Sequence, residues 1–422
     1  MGLGFFVRAE LTNAQRAKTQ KLLSEIASTA GKLITDPIFK RLITIRHGNT
    51  GAAISLHPAE EDIEFYLDKG GSLICSAKTS NAGPGYHAFA IDYVDSIAAK
   101  CGFRWLWNDA TGKIGDETDF HELRDFSKLQ DEMLRLWQAI ASKFKDEENY
   151  SEIMLGMPLG YPLVVQEFGA MTQMGFRTQK WFTEVANSNL AALRQQAADH
   201  FPWWERELNT TFWKNAGLVL AWTKIPWHIP DSEEERELFQ LALDCFARAR
   251  TLDPSCKLPE LAIKELESLA GSLGRSEPPK REGIGYYRYP MCFNLSGKWK
   301  IDLPGYYYHE LQDEGRTEAF SFEGRALWAS SLRVQSKDGR TKSAAEMVKM
   351  SEVSESALRF EEGMRCGWAM IEALTEEGQK IFRLTGRMAV PNTLCIVTIE
   401  FVEPADRDWA IRTWQSLRCT VD

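Results

Sequence analysis

The sequence predicts an α+β multidomain protein, with an N-terminal antiparallel sheet carrying helices, a helical middle and a C-terminal antiparallel α+β sandwich. Three observations point there. A chain of 422 residues, at roughly 150 per domain, makes two or three domains. Short strand-like runs joined by tight turns occur near both ends. Between them lies a tryptophan-rich stretch with helical periodicity. Hydrophobic content of 44% and charged content of 26% exclude a mainly disordered or collagen-like chain.

Residues 1–40 read as an amphipathic helical arm. Thr12-Asn13-Ala14-Gln15 suits a capping box, and Leu22, Leu23, Ile26 and Ala27 mark one helix face. An α+β domain over 41–200 follows. Leu42-Ile43-Thr44-Ile45, Ala52 to Leu56 and Ser72 to Cys75 are strand-like, and Gly48-Asn49 and Gly70-Gly71 supply turns for antiparallel hairpins. After Gly83-Pro84-Gly85, the residues Phe89, Tyr93, Ile97 and Ala98 repeat at helical spacing. A longer helix from about Asp119 places Phe126, Leu129, Met133, Trp137, Ile140 and Phe144 on its buried side.

A Trp-rich helical segment spans 201–270. Ser232-Glu233-Glu234-Glu235 opens a helix there, with acids in its first turn. Ala242 to Pro254 resembles the second helix of a tetratricopeptide repeat, through its Ala-x3-Phe-like spacing and terminal Asp-Pro. Stable arrays need at least three repeats, so a single helical hairpin is expected. Residues 271–284, rich in Gly, Ser, Pro and charge, form a linker. A C-terminal α+β domain over 285–422 begins with a strand at Trp299 to Pro304, continues through a short helix at Ser343 to Met350, and resumes strands at Trp368. Val397, Ile399 and Phe401 alternate with Thr398 and Glu400, and a terminal helix from about Ala405 carries Trp409 and Trp414. This element order, with a strand ending in Leu303-Pro304, resembles the PsbP/Mog1-like sandwich and EagR-type secretion chaperones. The resemblance implies a fold used mainly for protein binding.

Charge and the chain ends exclude several classes. Fifty Lys+Arg against 59 Asp+Glu give a net charge of −9, which disfavours a general nucleic-acid binder. The opening apolar run Phe5-Phe6-Val7 stops at Arg8, so no export signal is read. No stretch approaches the length of a membrane span, and no membrane association is expected. The eight cysteines contain no Cys-x-x-Cys pair. They read as small buried hydrophobes of a cytoplasmic protein, with neither metal nor cofactor expected.

Thr44-Ile45-Arg46-His47-Gly48 resembles the Arg-His-Gly start of histidine phosphatases and phosphoglycerate mutases. That resemblance implies His47 as phosphorylated nucleophile and Arg46 as phosphate holder. Such chemistry also needs a second catalytic histidine, and His57, His87, His121, His200, His228 and His309 all lack its setting. Gly48-Asn49 as a plain hairpin turn is the preferred reading. His121-Glu122-Leu123-Arg124-Asp125 and His309-Glu310-Leu311-Gln312-Asp313 begin like metalloprotease helices. Each has Asp at the fourth place and no third ligand, so both are taken as surface polar residues. Gly83-Pro84-Gly85 ahead of a helix could receive an anion beside His87, and is read instead as a turn that starts a helix. A Cys75–His87 thiol pair is not favoured, because sequence proximity does not place the two side chains together.

Trp203-Trp204, Tyr286-Tyr287 and Tyr306-Tyr307-Tyr308 cannot all point inward on alternating strands, so some are expected at an interface. They are the candidate binding residues. The expected function is protein binding without intrinsic catalysis. Its specific version is a bacterial toxin-immunity protein or secretion chaperone whose partner is a basic toxin or secreted effector. Phosphate-ester chemistry through His47 and a helical scaffold are the alternatives.

Overall fold

In the computed structural model, residues 2–420 are described except 17, 49, 110–111, 150–151, 159–160, 165–168, 275, 335–339, 350–355 and 377. The chain divides into two compact units. The first comprises Met1–Tyr161, Glu167–Ile225 and Pro230–Gly271, and the second Pro162–Gln166, Pro226–Ile229 and Ser272–Asp422. Arm, α+β segment and Trp-rich segment therefore share one unit. Residues 272–284, expected as part of a linker, belong to the second unit, where buried Ser276 bonds Ile229 and Glu323.

The first unit is built on β1 (Gly4–Glu10), β2 (Thr44–His47), β3 (Gly51–Ser55), β4 (Ile63–Leu67), β5 (Leu73–Lys78), β6 (Arg104–Leu106) and β7 (Gly115–Asp116). They form one sheet in the order β2-β3-β4-β5-β1-β6, with β7 also on β1. All of its pairings are antiparallel. The expected helical arm is thus corrected at its start. Phe5, Val7 and Ala9 are buried in alternation, which is strand periodicity, and β1 lies between β5 and β6.

Helices α1 (Thr19–Leu33), α2 (Pro37–Leu42) and α3 (Pro84–Lys100) follow. Asp36 caps α2 by accepting the N–H groups of Ile38 and Phe39. Cross-strand neighbours Val7, Cys75, Phe65 and Ala52 share one buried face. There α1 packs on β2 to β4 and α3 packs on α1 and β6, and the Tyr93 hydroxyl donates to the Ala30 carbonyl at 2.9 Å. The helix expected from about Asp119 is split: a one-turn helix Phe120–Leu123 ends at left-handed Arg124, and α4 (Phe126–Phe144) starts after its Asp125 cap. Helices α5 (Gln179–Asn187), α6 (Leu190–Gln196), α7 (Thr210–Thr223), α8 (Glu233–Leu252) and α9 (Glu260–Ala270) follow, beside a small sheet of Met154–Leu155, Ala170–Thr172 and Gly175–Arg177. The pairs α7–α8 and α8–α9 pack as helical hairpins.

In the second unit, β8 (Pro290–Asn294) and β9 (Trp299–Pro304) form a small sheet with Leu163–Val164 and Arg418–Cys419. Strands β10 (Tyr308–Gln312), β11 (Thr317–Phe322) and β12 (Arg325–Arg333), helix α10 (Ala344–Val348), strands β13 (Leu358–Glu362), β14 (Arg365–Glu376), β15 (Gln379–Val390) and β16 (Thr393–Phe401), and helix α11 (Arg407–Gln415) follow. The large sheet is antiparallel in the order β10-β11-β12-β16-β15-β14-β13. Val397, Ile399 and Phe401 are all buried, as their alternation requires. The fold class is α+β.

Trp414 of α11 is fully buried. It fits because Gly386 offers no side chain, since a Cβ there would stand 2.6 Å from the indole Cδ1. Short α10 sets Met347 and Val348 against Trp368, Ala389 and Leu394.

Candidate functional site

The face of the first sheet turned away from α1 and α3 stays open, because strand alternation sends a second set of residues there. One row across it reads Phe6, Ser76, Glu64, Ala53 and Arg46 on successive paired strands. With residues 58–62 on one side and 112–117 on another, this face floors a cleft of about 1030 Å³ that Pro158 and Lys224 also line.

Most charges in the cleft are matched within it. Arg46 pairs with Asp62, and Lys78 Nζ lies 3.1 Å from Glu61 Oε1. Glu117 accepts the Gly4 N–H at 2.8 Å. Glu64 and Lys224, both exposed, line the cleft with no side-chain hydrogen bond or ion pair among the described residues.

Two buried groups hold the walls. Glu60, only 9% exposed, accepts the N–H of Asn81 at 2.8 Å and of Ala82 at 2.9 Å through Oε2, and that of Glu61 at 3.2 Å through Oε1. Burial pushes its carboxyl up to about 8, against the pull of these N–H groups and Lys78. Gln173 donates to the carbonyls of neighbouring Ala59 and of Gly156.

Across the cleft, fully buried His87 sets Nδ1 2.6 Å from Thr79 Oγ1. Its Nε2 lies 3.0 Å from Thr118 Oγ1 and 3.1 Å from Asp116 Oδ1. Burial acts to raise the Asp116 carboxyl. The hydrogen bond and charge of His87, with the N–H groups of Thr118 and His121, outweigh it and hold the group at about 2. The distances are those of a hydroxyl–imidazole–carboxylate array. Thr79 is fully enclosed, however, and its N–H and hydroxyl both face the Leu3 carbonyl. The array acts as a brace between β5, α3 and the 112–118 segment.

Arg46 and His47 are adjacent in β2, so they point to opposite faces. Arg46 reaches Asp62 over the cleft, and His47 Nε2 lies 3.2 Å from Ser24 Oγ of α1. The arrangement does not bring them onto one phosphate. The turn before α3 is occupied too, because the Gly85 N–H donates to the Trp203 carbonyl at 3.1 Å. Cys75 is buried, and both nitrogens of His87 face hydroxyl or carboxylate oxygens.

His121 stacks on Trp107 at 4.1 Å and lies 3.2 Å from Asp95, while Asp125 caps α4. His309 stacks on Phe320 at 4.4 Å and meets Glu318 at 2.7 Å. Among the described residues no group of three His, Cys, Asp or Glu side chains could hold a metal ion, and no helix is long and apolar enough to cross a membrane.

The aromatic candidates require a correction. Trp203, Trp204, Tyr286 and Tyr307 are buried, and Tyr287, Tyr306 and Tyr308 are half-buried. Trp203-Trp204 lies in a loop, Tyr286-Tyr287 in a 3-10 turn, and Tyr306-Tyr307 in a turn before β10. Strand alternation does not govern such positions, and neighbouring rings can both turn inward. Trp203 packs among Phe39, Tyr86, Phe89 and Phe212, and Tyr307 stacks on Phe322. Sequence reasoning missed Glu60, Glu64 and Lys224, which reach the cleft from the loop before β4, from β4 itself and from the end of α7, and so come together only in the tertiary fold.

No protein-family model matches the chain, and no curated protein matches it in sequence. Among solved structures, a crystal structure from Bacteroides thetaiotaomicron VPI-5482 is similar at 13% identity and a TM-score of 0.25, over 31% of this chain and 48% of that one. The chain thus spans about half the length of that structure. The solution structure of cyanobacterial PsbP (CyanoP) from Synechocystis sp. PCC 6803 is similar at 11% identity and a TM-score of 0.16, over 31% of this chain and 92% of that one.

Proposed function

We propose that the protein acts by binding another protein, without a catalytic step of its own, and that the partner docks on the open sheet face of the first unit. The supporting observation is the cleft of about 1030 Å³, where Arg46 and Lys78 already have anions and the side chains of one carboxylate, Glu64, and one ammonium, Lys224, have no partner among the described residues. Small-molecule sites run to about 1,000 Å³, so the volume also suits a protruding segment of a protein. Internal ion pairs hold the surrounding side chains in place before binding, which lowers the ordering cost.

A basic partner suits both Glu64 and the net charge of −9, since opposite fields speed encounter and select partners. The finer reading is a toxin-immunity protein or secretion chaperone that covers a basic effector surface. The test is a low-salt pull-down from the native host with stoichiometry, run beside Glu64→Lys. One near-equimolar partner, lost in Glu64→Lys, is expected. An empty pull-down, or unchanged capture by the variant, overturns the reading.

A further inference from the structure

The two sheets of the second unit turn one cysteine each toward the same core. In the small sheet, Cys419 stands opposite Trp299, and Phe293 opposite Ile301. Strand alternation puts these four side chains on one face. Trp299, Ile301 and Phe293 are buried there, and the Phe293 ring lies 5.1 Å from Phe320 of β11. In the large sheet, Phe320 stands opposite Leu327, and Leu327 opposite Ile399. Cys395 shares the buried face of Val397 and Ile399 in β16. The face that carries Cys419 therefore packs on the face that carries Cys395.

Their positions along the sheets also coincide. Cys395 stands opposite Ser331. A Cβ at Gly297 would fall 2.4 Å from Ser331 Oγ, and Cys419 Sγ lies 3.8 Å from the Gly297 carbonyl oxygen. Both sulfurs thus border one close contact, Ser331 against Gly297. Burial raises the Cys395 thiol to about 12, and charge on Cys419 adds to this, an effect that falls off with separation. Cys292 of β8 occupies the opposite face of the small sheet, where its sulfur lies 2.8 Å from Arg418 Nη2.

We propose that Cys395 and Cys419 form a disulfide when a peroxide is present, and that this bond locks the C-terminal helix α11 on the large sheet. Cys419 is half-buried and is the sulfur that an oxidant reaches, whereas Cys395 is buried. The peroxide gives one oxygen to the Cys419 sulfur, leaving a sulfenic acid and one water. The Cys395 sulfur then displaces the sulfenic hydroxyl, which departs with the Cys395 proton as a second water. Two thiols and one peroxide yield one disulfide and two waters. The chain between the two sulfurs carries α11 with buried Trp414. Closing that loop of roughly 25 residues removes the open states in which the helix leaves the sheet. The inference concerns the second unit alone and does not rest on the docking face of the first.

The test is titration of the folded full chain with dilute hydrogen peroxide, read by peptide mapping without reductant. The peptides carrying Cys395 and Cys419 are expected to become joined, with the loss of two hydrogens, and dithiothreitol should part them. Hydrogen exchange should then show protection in α11 about tenfold or more above that of the reduced chain. Cys419→Ser should abolish both effects. No link, a link from Cys419 to Cys292 or to a second chain, or Cys419 taken to a sulfinic acid with Cys395 still a thiol, overturns the pairing. A bond that forms while protection in α11 stays level overturns the locking. The mapping uses the native sequence, so it decides the pairing even if Cys419→Ser does not fold.

Discussion

His87 Nε2 lies 3.1 Å from Asp116 Oδ1, with both side chains shut away from solvent. Asp116 also accepts the Thr118 N–H at 2.9 Å and the His121 N–H at 2.8 Å. Replacing His87 by Ala removes the main group that opposes the desolvation of Asp116 and one partner each from Thr79 and Thr118, whose hydroxyls keep the Leu3 carbonyl and Asp116. A loss of about 3 kcal/mol in urea unfolding is expected, the usual cost of breaking a buried polar pair. Thr118→Val should cost about 1 kcal/mol. Equal, small effects would mean that the brace carries little.

Acid should unfold the first unit through its histidines. Burial lowers His57 from 6.5 to about 3, and burial with the charge of Arg177 lowers His200 to about 4. The unfolded chain binds these protons first, so stability is full above pH 6.5 and drains as pH falls toward 4 and then 3. Glu60 has the opposite sign. Its raised value stabilises the folded state below pH 4.5, and that contribution is lost as pH climbs to about 8. Urea midpoints against pH should therefore lose part of the acid slope in His57→Gln and the alkaline decline in Glu60→Gln.

Trp203→Ala should reduce stability by about 3–5 kcal/mol, as for other large core truncations, because the indole is enclosed by rings of α2, α3 and α7. A variant with native thermal unfolding and selectively lost partner binding would contradict this placement.

Gly386→Ala should destabilise the second unit by about 1–3 kcal/mol through overpacking against Trp414. Trp414→Ala alone should cost about 3–5 kcal/mol. The two changes share one contact, so the double variant should be less destabilised than the sum of the singles. Calorimetry on the four proteins of this cycle checks the coupling.

Where local pattern and tertiary environment agree, the sequence was readable. Alternation in β16 identified Val397, Ile399 and Phe401 as inward, and the strand Trp299–Pro304 has its expected limits. β1 was hidden because Phe5-Phe6-Val7 is a short apolar run followed by a capping signal, and the helix read there drew in the residues before it. β4 does carry strand alternation in Ile63-Glu64-Phe65, which the sequence reading passed over. The cleft left no local trace. Glu60 meets Asn81 twenty-one residues away and Ala82 twenty-two away, and such pairings depend on strand register rather than on any motif.

The second unit's small sheet takes an edge from Leu163–Val164, which pairs with Met291 and Cys292. Trp227, from another detached stretch, lies under the Arg288 guanidinium at 3.9 Å. A protease cut after Gly271 would therefore yield a fragment that starts at Ser272 and looks like a whole domain by length. That fragment would lack the edge strand beside Cys292 and the indole beneath Arg288, leaving backbone groups of β8 open to pair with another molecule. Self-association of the 272–422 fragment, and its relief by adding back a peptide spanning 162–166, is the behaviour that this interrupted chain path imposes.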